Sequence, residues 1–321
     1  MLKARTSIFN AQSITPRLSS IAVALILTAC GGAGVSPADA TTTTSTTATS
    51  YTDVPYAKLS AAQKLDVYMP AGNGPFPAVV LIHGGAFMMG DKGGEANNAK
   101  ALTANGYVAV SINYRLSGEA QFPAQVQDVK AAVRYLRANA ATYRINPDKI
   151  GSWGASAGGN LSAMLGTTGG VAELEGAELG NSGYSSRVTA SVDWFGPINF
   201  ATMDAEAQAQ ALGFTISTNA ATSPESKYLG AAVPTVPEKV AKANPASYIT
   251  ADDAAFLIQA GSADKNIPYT QSANFHSALV AVKGADKASY ELINGAGHGT
   301  SEFSTAANLA KVIAFFDKHL K

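Results

Sequence analysis

The apolar positions of this chain fall into runs of two kinds, and the two kinds alternate. "KLDVYMP" (64–70) places Leu65, Val67 and Met69 on one side, which predicts an edge strand with one buried face. "PAVVLIH" (77–83) and "YVAVSIN" (107–113) are continuous apolar runs, as expected of strands covered on both faces. Between 124 and 139, Val126, Val129, Val133 and Leu136 recur at helical spacing. "KIGSW" (149–153) predicts a short strand, and 157–165 a helix of small residues. "VTASVDWF" (188–195) and "AAFLIQAG" (254–261) are strand-like, a helix follows at about 269–282, and "ASYELIN" (288–294) is the last strand. In a terminal helix Leu309, Val312, Ile313 and Phe316 share a face. Strands separated by helices predict the α/β class, with a mostly parallel central sheet covered by helices on both faces.

Two stretches break this rhythm. Residues 200–250 are rich in Ala, Thr and Pro, with a weak helix near 203–212. They predict a small cap or lid inserted over the C-terminal edge of the sheet, against the alternative of a long irregular connection. Residues 31–50, "GGAGVSPADATTTTSTTATS", hold almost no large apolar side chain and cannot offset the entropy of ordering. A flexible tether over 30–50 and a folded domain over 51–321 are expected.

Ahead of the tether, Lys3, Arg5 and Arg17 precede the apolar run "IAVALILTAC" (21–30). The run is shorter than the roughly 20 residues of a spanning helix and suits the core of an export signal. The only cysteine of the 321 residues, Cys30, closes it after Leu27-Thr28-Ala29. This arrangement resembles a bacterial lipobox, the alternative being an ordinary signal peptide that contains a Cys. The resemblance implies removal of residues 1–29 and a lipid on Cys30. With Gly31 rather than Asp next, it also implies the outer membrane of a Gram-negative cell, on either face.

Composition narrows the partners. Lys and Arg total 23, as do Asp and Glu, and both are scattered, so nothing points to nucleic acid. With a single Cys, neither an internal disulfide nor a multi-thiolate metal site is available. Membrane contact is expected only through the N-terminal lipid.

The candidate chemistry begins at "KIGSWGASAGGNLSAML" (149–165), where Ser156 sits in a Gly-x-Ser-x-Gly frame between a strand and a helix. The frame is either a turn of small residues or the sharp bend that lifts a nucleophilic Oγ above a sheet, with Gly154 and Gly158 allowing the close approach. A serine hydroxyl needs a base to take its proton and N–H donors for the oxyanion that its attack creates. Three further segments offer such groups. "LIHGGAF" (81–87) is a Gly-rich turn after a strand, and Gly85 and Ala86 are its candidate donors, with Ala157 a third at the helix start. "GSADKNIP" (261–268) brings Asp264 after another strand; Asp193 is the second candidate acid. "NGAGHGT" (294–300) holds His298 between glycines, whereas His276 and His319 lie on predicted helices.

The segments "HGGAF", "INYRLS", "FPAQVQDVKAAVRYLR", "IGSWGASAGGNLSAM" and "GAGHG" resemble α/β-hydrolases over nearly all of residues 60–321. Within that superfamily they resemble esterases and lipases related to hormone-sensitive lipase, and most of all bacterial bifunctional feruloyl and acetyl-xylan esterases. The resemblance implies the chain order nucleophile, acid, base, hence Ser156, Asp264 and His298, with His83 structural. It also implies ester hydrolysis without cofactor or metal, on a small-molecule or polymer ester. Short-acyl or aromatic esters are expected, because Phe87 and Met88 of "FMMG" and Trp194 and Phe195 of "DWFG" should line the pocket. Ordinary core filling is the alternative for Trp194 and Phe195. Arg115 and Asp128 match positions expected to form an ion pair bracing the nucleophile strand. Two departures stand out. Ala86 replaces a third glycine, and "GSADKNIP" lacks the His-Gly that relatives often carry before the acid. Competing functions are amide cleavage on the same fold and an inactive, binding-only hydrolase.

Overall fold

The computed structural model describes residues 48–214 and 217–321; the expected export signal, Cys30 and the tether up to residue 47 lie outside the described residues. The continuous apolar runs take the middle of one sheet. Among the described residues its strands are β1 (Thr49–Pro55), β2 (Lys64–Met69), β3 (Phe76–Ile82), β4 (Val108–Ile112), β5 (Ile145–Ala155), β6 (Ala190–Trp194), β7 (Ala255–Gly261) and β8 (Ala288–Ile293). Their order across the sheet is β1-β2-β4-β3-β5-β6-β7-β8. The two pairs that include β2 are antiparallel, and every other pair is parallel.

Side chains alternate across this sheet and each face meets its own helices. Helices α1 (Ala96–Ala104), α2 (Ala124–Ala138), α3 (Ala157–Thr167) and α4 (Ala172–Glu175) precede β6. After it come α5 (Met203–Gln210), α6 (Pro224–Leu229), α7 (Pro237–Lys242), α8 (Tyr269–Lys283) and α9 (Ala306–Leu320). Val79, Leu81 and Trp153 pack with Leu102 of α1 and Val312 and Phe316 of α9. Val80, Ile82 and Ile150 pack on the opposite face with Val129 and Val133 of α2, Leu161 of α3 and Phe275 of α8. The α/β expectation holds, and the strand order is that of an α/β-hydrolase sheet.

Two expectations need correction, and the elements of a third segment can be named. β2 is not an edge strand, because β1 pairs outside it and starts at Thr49, inside the range expected to be tether. The polar face of β2 is covered too: Asp66 accepts the Asp53 N–H and pairs with Lys92 at 2.8 Å. Residues 200–250, the expected cap, carry α5, α6 and α7. The segment packs over the chain leaving β3, where Tyr228 of α6 stacks on Phe87 with centroids 4.0 Å apart. Gln271 of α8 ties down its start, accepting the N–H groups of Ile198 and Asn199 and donating to Thr202 and Glu206. Last, Arg115 and Asp128 do pair, at 2.8 Å, but Asp128 joins α2 to the chain after β4 and to Gln63 rather than bracing β5.

Candidate active site

The strand-to-helix turn holds Ser156 at φ 56°, ψ −122°, a conformation that L-residues rarely adopt. Its N–H donates to the Trp194 carbonyl, and its carbonyl accepts the Asn160 N–H. The flanking glycines are there for close approach. A Cβ on Gly154 would run into the Gly158 carbonyl, and one on Gly158 into the Ile82 carbonyl. So α3 starts hard against β5 and β3, and Oγ projects past the sheet.

Two loops at the same sheet edge bring the other groups to that oxygen. His298, after β8, places Nε2 2.9 Å from Ser156 Oγ. Its Nδ1 lies 2.8 Å from Oδ2 of Asp264, which follows β7. A carboxylate only accepts, so His298 Nδ1–H donates to Asp264 and leaves Nε2 to accept the serine O–H. Oδ1 of Asp264 accepts the N–H groups of Asn266 and Ile267, which fixes the carboxylate plane. Phe195 sets its ring edge against the imidazole, with centroids 4.8 Å apart. Ser156, Asp264 and His298 are thus brought together.

Asp193, the other candidate acid, is fully buried within β6 and accepts the Gly196 N–H at 2.9 Å. Desolvation pushes its pKa up to about 7. His276 and His319 lie on α8 and α9, packed against Tyr290 and Phe315.

The loop after β3 supplies the third component. Gly85 has φ 116°, and a Cβ there would strike the Met89 carbonyl, so the turn requires glycine. Ala86 and Phe87 also have positive φ, at 56° and 58°. The N–H groups of Met88 and Met89 both donate to the Gly85 carbonyl. Among the described residues, the N–H groups of Gly85, Ala86 and Ala157 have no protein acceptor. A Cβ on Gly84 would lie 3.4 Å from Ser156 Cβ, so this loop abuts the serine. His83 underpins it: Nδ1–H donates to the Gly84 carbonyl at 2.7 Å, and the ring stacks on Tyr114. Burial lowers the His83 pKa and keeps the ring neutral, as a structural role needs.

The expected pocket residues divide. Phe87 is 1% exposed and Trp194 4%, both within the core, which corrects their assignment to the pocket. Positive φ at Phe87 turns its ring under α6, and Trp194 packs edge-on to Trp153. Phe195 is buried yet touches His298, while Met88 lines an open cleft with Ser117, Gln121 and Lys227. Ser117 closes the segment "INYRLS", but Gln121 and Lys227 carry no periodic or motif signal, and only the fold brings the three together. Among the described residues, no group of three or more His, Cys, Asp or Glu side chains is placed to hold a metal ion.

Residues 65–279 match the BD-FAE family. The esterase LipC of Mycobacterium tuberculosis is 31% identical over 243 residues, 74% of this chain and 57% of LipC. The chain spans about half the length of the curated relatives it matches. Among solved structures, a bifunctional GH43-CE of Bacteroides eggerthii is 36% identical with a TM-score of 0.76, covering 85% of this chain and 35% of that one. A truncated carbohydrate esterase from gut microbiota is 34% identical with a TM-score of 0.77, covering 86% and 97%.

Proposed function

The chain belongs to the BD-FAE family, and from that premise we propose that it hydrolyses carboxylic esters of short-acyl or aromatic type by a serine mechanism. The observation that carries this reading is His298 bridging Ser156 and Asp264. Ser156 Oγ attacks the ester carbonyl carbon while His298 Nε2 takes its proton, and Asp264 steadies the imidazolium that forms. The free N–H groups of Gly85, Ala86 and Ala157 receive the oxyanion. Collapse expels the alcohol, which takes the proton from His298. Water, deprotonated by the same nitrogen, then attacks the acyl-serine and releases the acid.

Each part of the geometry supports a step. Ser156 is held out by its strained turn, the base carries the correct tautomer, and the donors are already free of protein acceptors. A carbohydrate esterase among the similar structures favours esters attached to sugars. The lipobox-like sequence Leu27-Thr28-Ala29-Cys30 supports a further proposal, a lipid on Cys30 that holds the enzyme at the outer membrane. Incorporation of labelled palmitate that is lost in Cys30→Ser checks this.

The deciding experiment is hydrolysis of p-nitrophenyl acetate, butyrate and octanoate by residues 31–321, beside Ser156→Ala. Activity falling with chain length and absent from the variant is expected. A folded wild-type protein that cleaves none of them overturns the reading.

A further inference from the structure

Beside the oxyanion loop lies a cleft of about 510 Å³ that the chemistry above does not use. Met88 forms one wall, Ser117 and Gln121 a second, and Ser226, Lys227 and Gly230 of the cap segment the third. Its position follows from hydrogen bonds. The Met88 N–H closes a tight turn onto the Gly85 carbonyl, and the ends of such a turn stand within about 7 Å of each other. Ser117 donates to the Phe87 carbonyl through both its N–H and its hydroxyl, at 2.8 and 3.0 Å. One side of the loop therefore faces Ser156 with free N–H groups, and its next residue opens into the cleft.

The chemistry of the lining is specific. Among the described residues, Lys227 has no ion-pair partner. Glu119 and Glu225 are the acids of the cleft-forming segments, and neither lines the cleft. Glu225 is buried. The cleft itself is lined by no acid. The Gln121 amide lies against Gly230, where a Cβ would collide with it. An unpaired ammonium, an amide and a hydroxyl among small side chains suit a hydroxylated molecule with a negative charge. A volume of this size admits a sugar ring and its substituents. A short acyl group would leave it largely empty.

We propose that this cleft is the leaving-group subsite and that it selects esters whose alcohol is a carboxylate-bearing sugar of the uronic-acid class, with Lys227 as the residue that reads the charge. The proposal rests on the esterase reading. No step of the chemistry changes: the sugar hydroxyl leaves as before, and its carboxylate is held at the Lys227 side.

The test compares O-acetyl glucuronic acid, O-acetyl glucose and p-nitrophenyl acetate as substrates of the full chain, Lys227→Ala, Lys227→Glu and Ser156→Ala. Wild type should favour the acidic sugar over the neutral one in kcat/KM by about five- to ten-fold, the range of one charge-assisted contact in an open site. Lys227→Ala should erase the preference and Lys227→Glu reverse it, mainly through KM. No preference in wild type, or a preference that survives Lys227→Ala, overturns the subsite while leaving the esterase intact. Failure of wild type on all three substrates, or persistence of activity in Ser156→Ala, overturns the esterase reading itself.

Discussion

Asp264 holds His298 with one carboxylate oxygen, Oδ2 to Nδ1 at 2.8 Å, and its own loop with the other. The two roles separate on substitution. Asn at 264 still offers a carbonyl oxygen to the Asn266 and Ile267 N–H groups, but turns an NH2 donor toward the imidazole. The ring then favours the tautomer with its proton on Nε2 and can no longer accept from Ser156. Asp264→Asn is expected to lower kcat by about 10³–10⁴-fold with little change in KM or thermal stability. Asp264→Ala should lose activity and also lower the melting temperature, because two loop N–H groups lose their acceptor. Steady-state kinetics with a melting curve for each variant separates the cases, and an Asn variant within ten-fold of wild type would reject the role.

How much of this was legible follows from where the information lies. Strands β3 to β8 could be read because buried parallel strands and helix faces leave period-specific apolar runs, as in "PAVVLIH" and Leu309, Val312, Ile313 and Phe316. The Gly-x-Ser-x-Gly turn could be read because its glycines answer a local steric demand. β1 could not, since "TSYTDVP" is nearly all exposed and its pairing with β2 is a long-range choice. The burial of Phe87 follows from a positive φ that leaves no mark in the sequence. Lys227 and Gln121 line one cleft only because the cap segment packs over the chain after β4.

Gly158 gives the sharpest steric prediction. The obstacle to a side chain there is main chain, the carbonyls of Ile82 and His83, rather than a movable side chain. Gly158→Ala must shift α3 off β3 and with it the Ala157 N–H. A loss of about 3 kcal/mol or more is expected, at the upper end of overpacking costs, together with loss of esterase activity in whatever fraction folds. Urea unfolding measures the first, and turnover per folded molecule the second. A variant of wild-type stability would mean that the approach of α3 to β3 is looser than described.

The Arg115–Asp128 pair predicts a stability effect away from the chemistry. Asp128 is fully buried and accepts from the Arg115 N–H and guanidinium and from Gln63 Nε2. Asp128→Ala leaves a buried cation and a buried amide without their acceptor. Removing one partner of such a pair costs about 3–5 kcal/mol. Denaturant unfolding should show this loss, whereas kcat of the remaining folded protein should stay within a few-fold of wild type. Unchanged stability would reject the role of Asp128 in joining α2 to the chain after β4.

Asp193 lies under the active site, one strand over from Gly154, and its effect should depend on pH. Oδ1 accepts the Gly196 N–H, while Oδ2 is buried without a partner. Burial raises its pKa from 3.8 to about 7. Below about pH 4 the carboxyl is protonated in both folded and unfolded chains and contributes nothing to pH dependence. As pH rises toward 7 the unfolded chain releases this proton and the folded chain keeps it, so the unfolded state gains. Stability falls through that window by up to about 1.4 kcal/mol per pH unit and levels off above it. Asp193→Asn removes the titration, keeps an oxygen for Gly196, and places an NH2 group where Oδ2 stood. Relative to wild type, Asp193→Asn should therefore gain stability between pH 5 and pH 8, by an amount that grows with pH. Urea unfolding of both proteins at the two pH values measures the difference. An equal difference at both would show that Asp193 keeps the same charge in the folded and unfolded chains across that range.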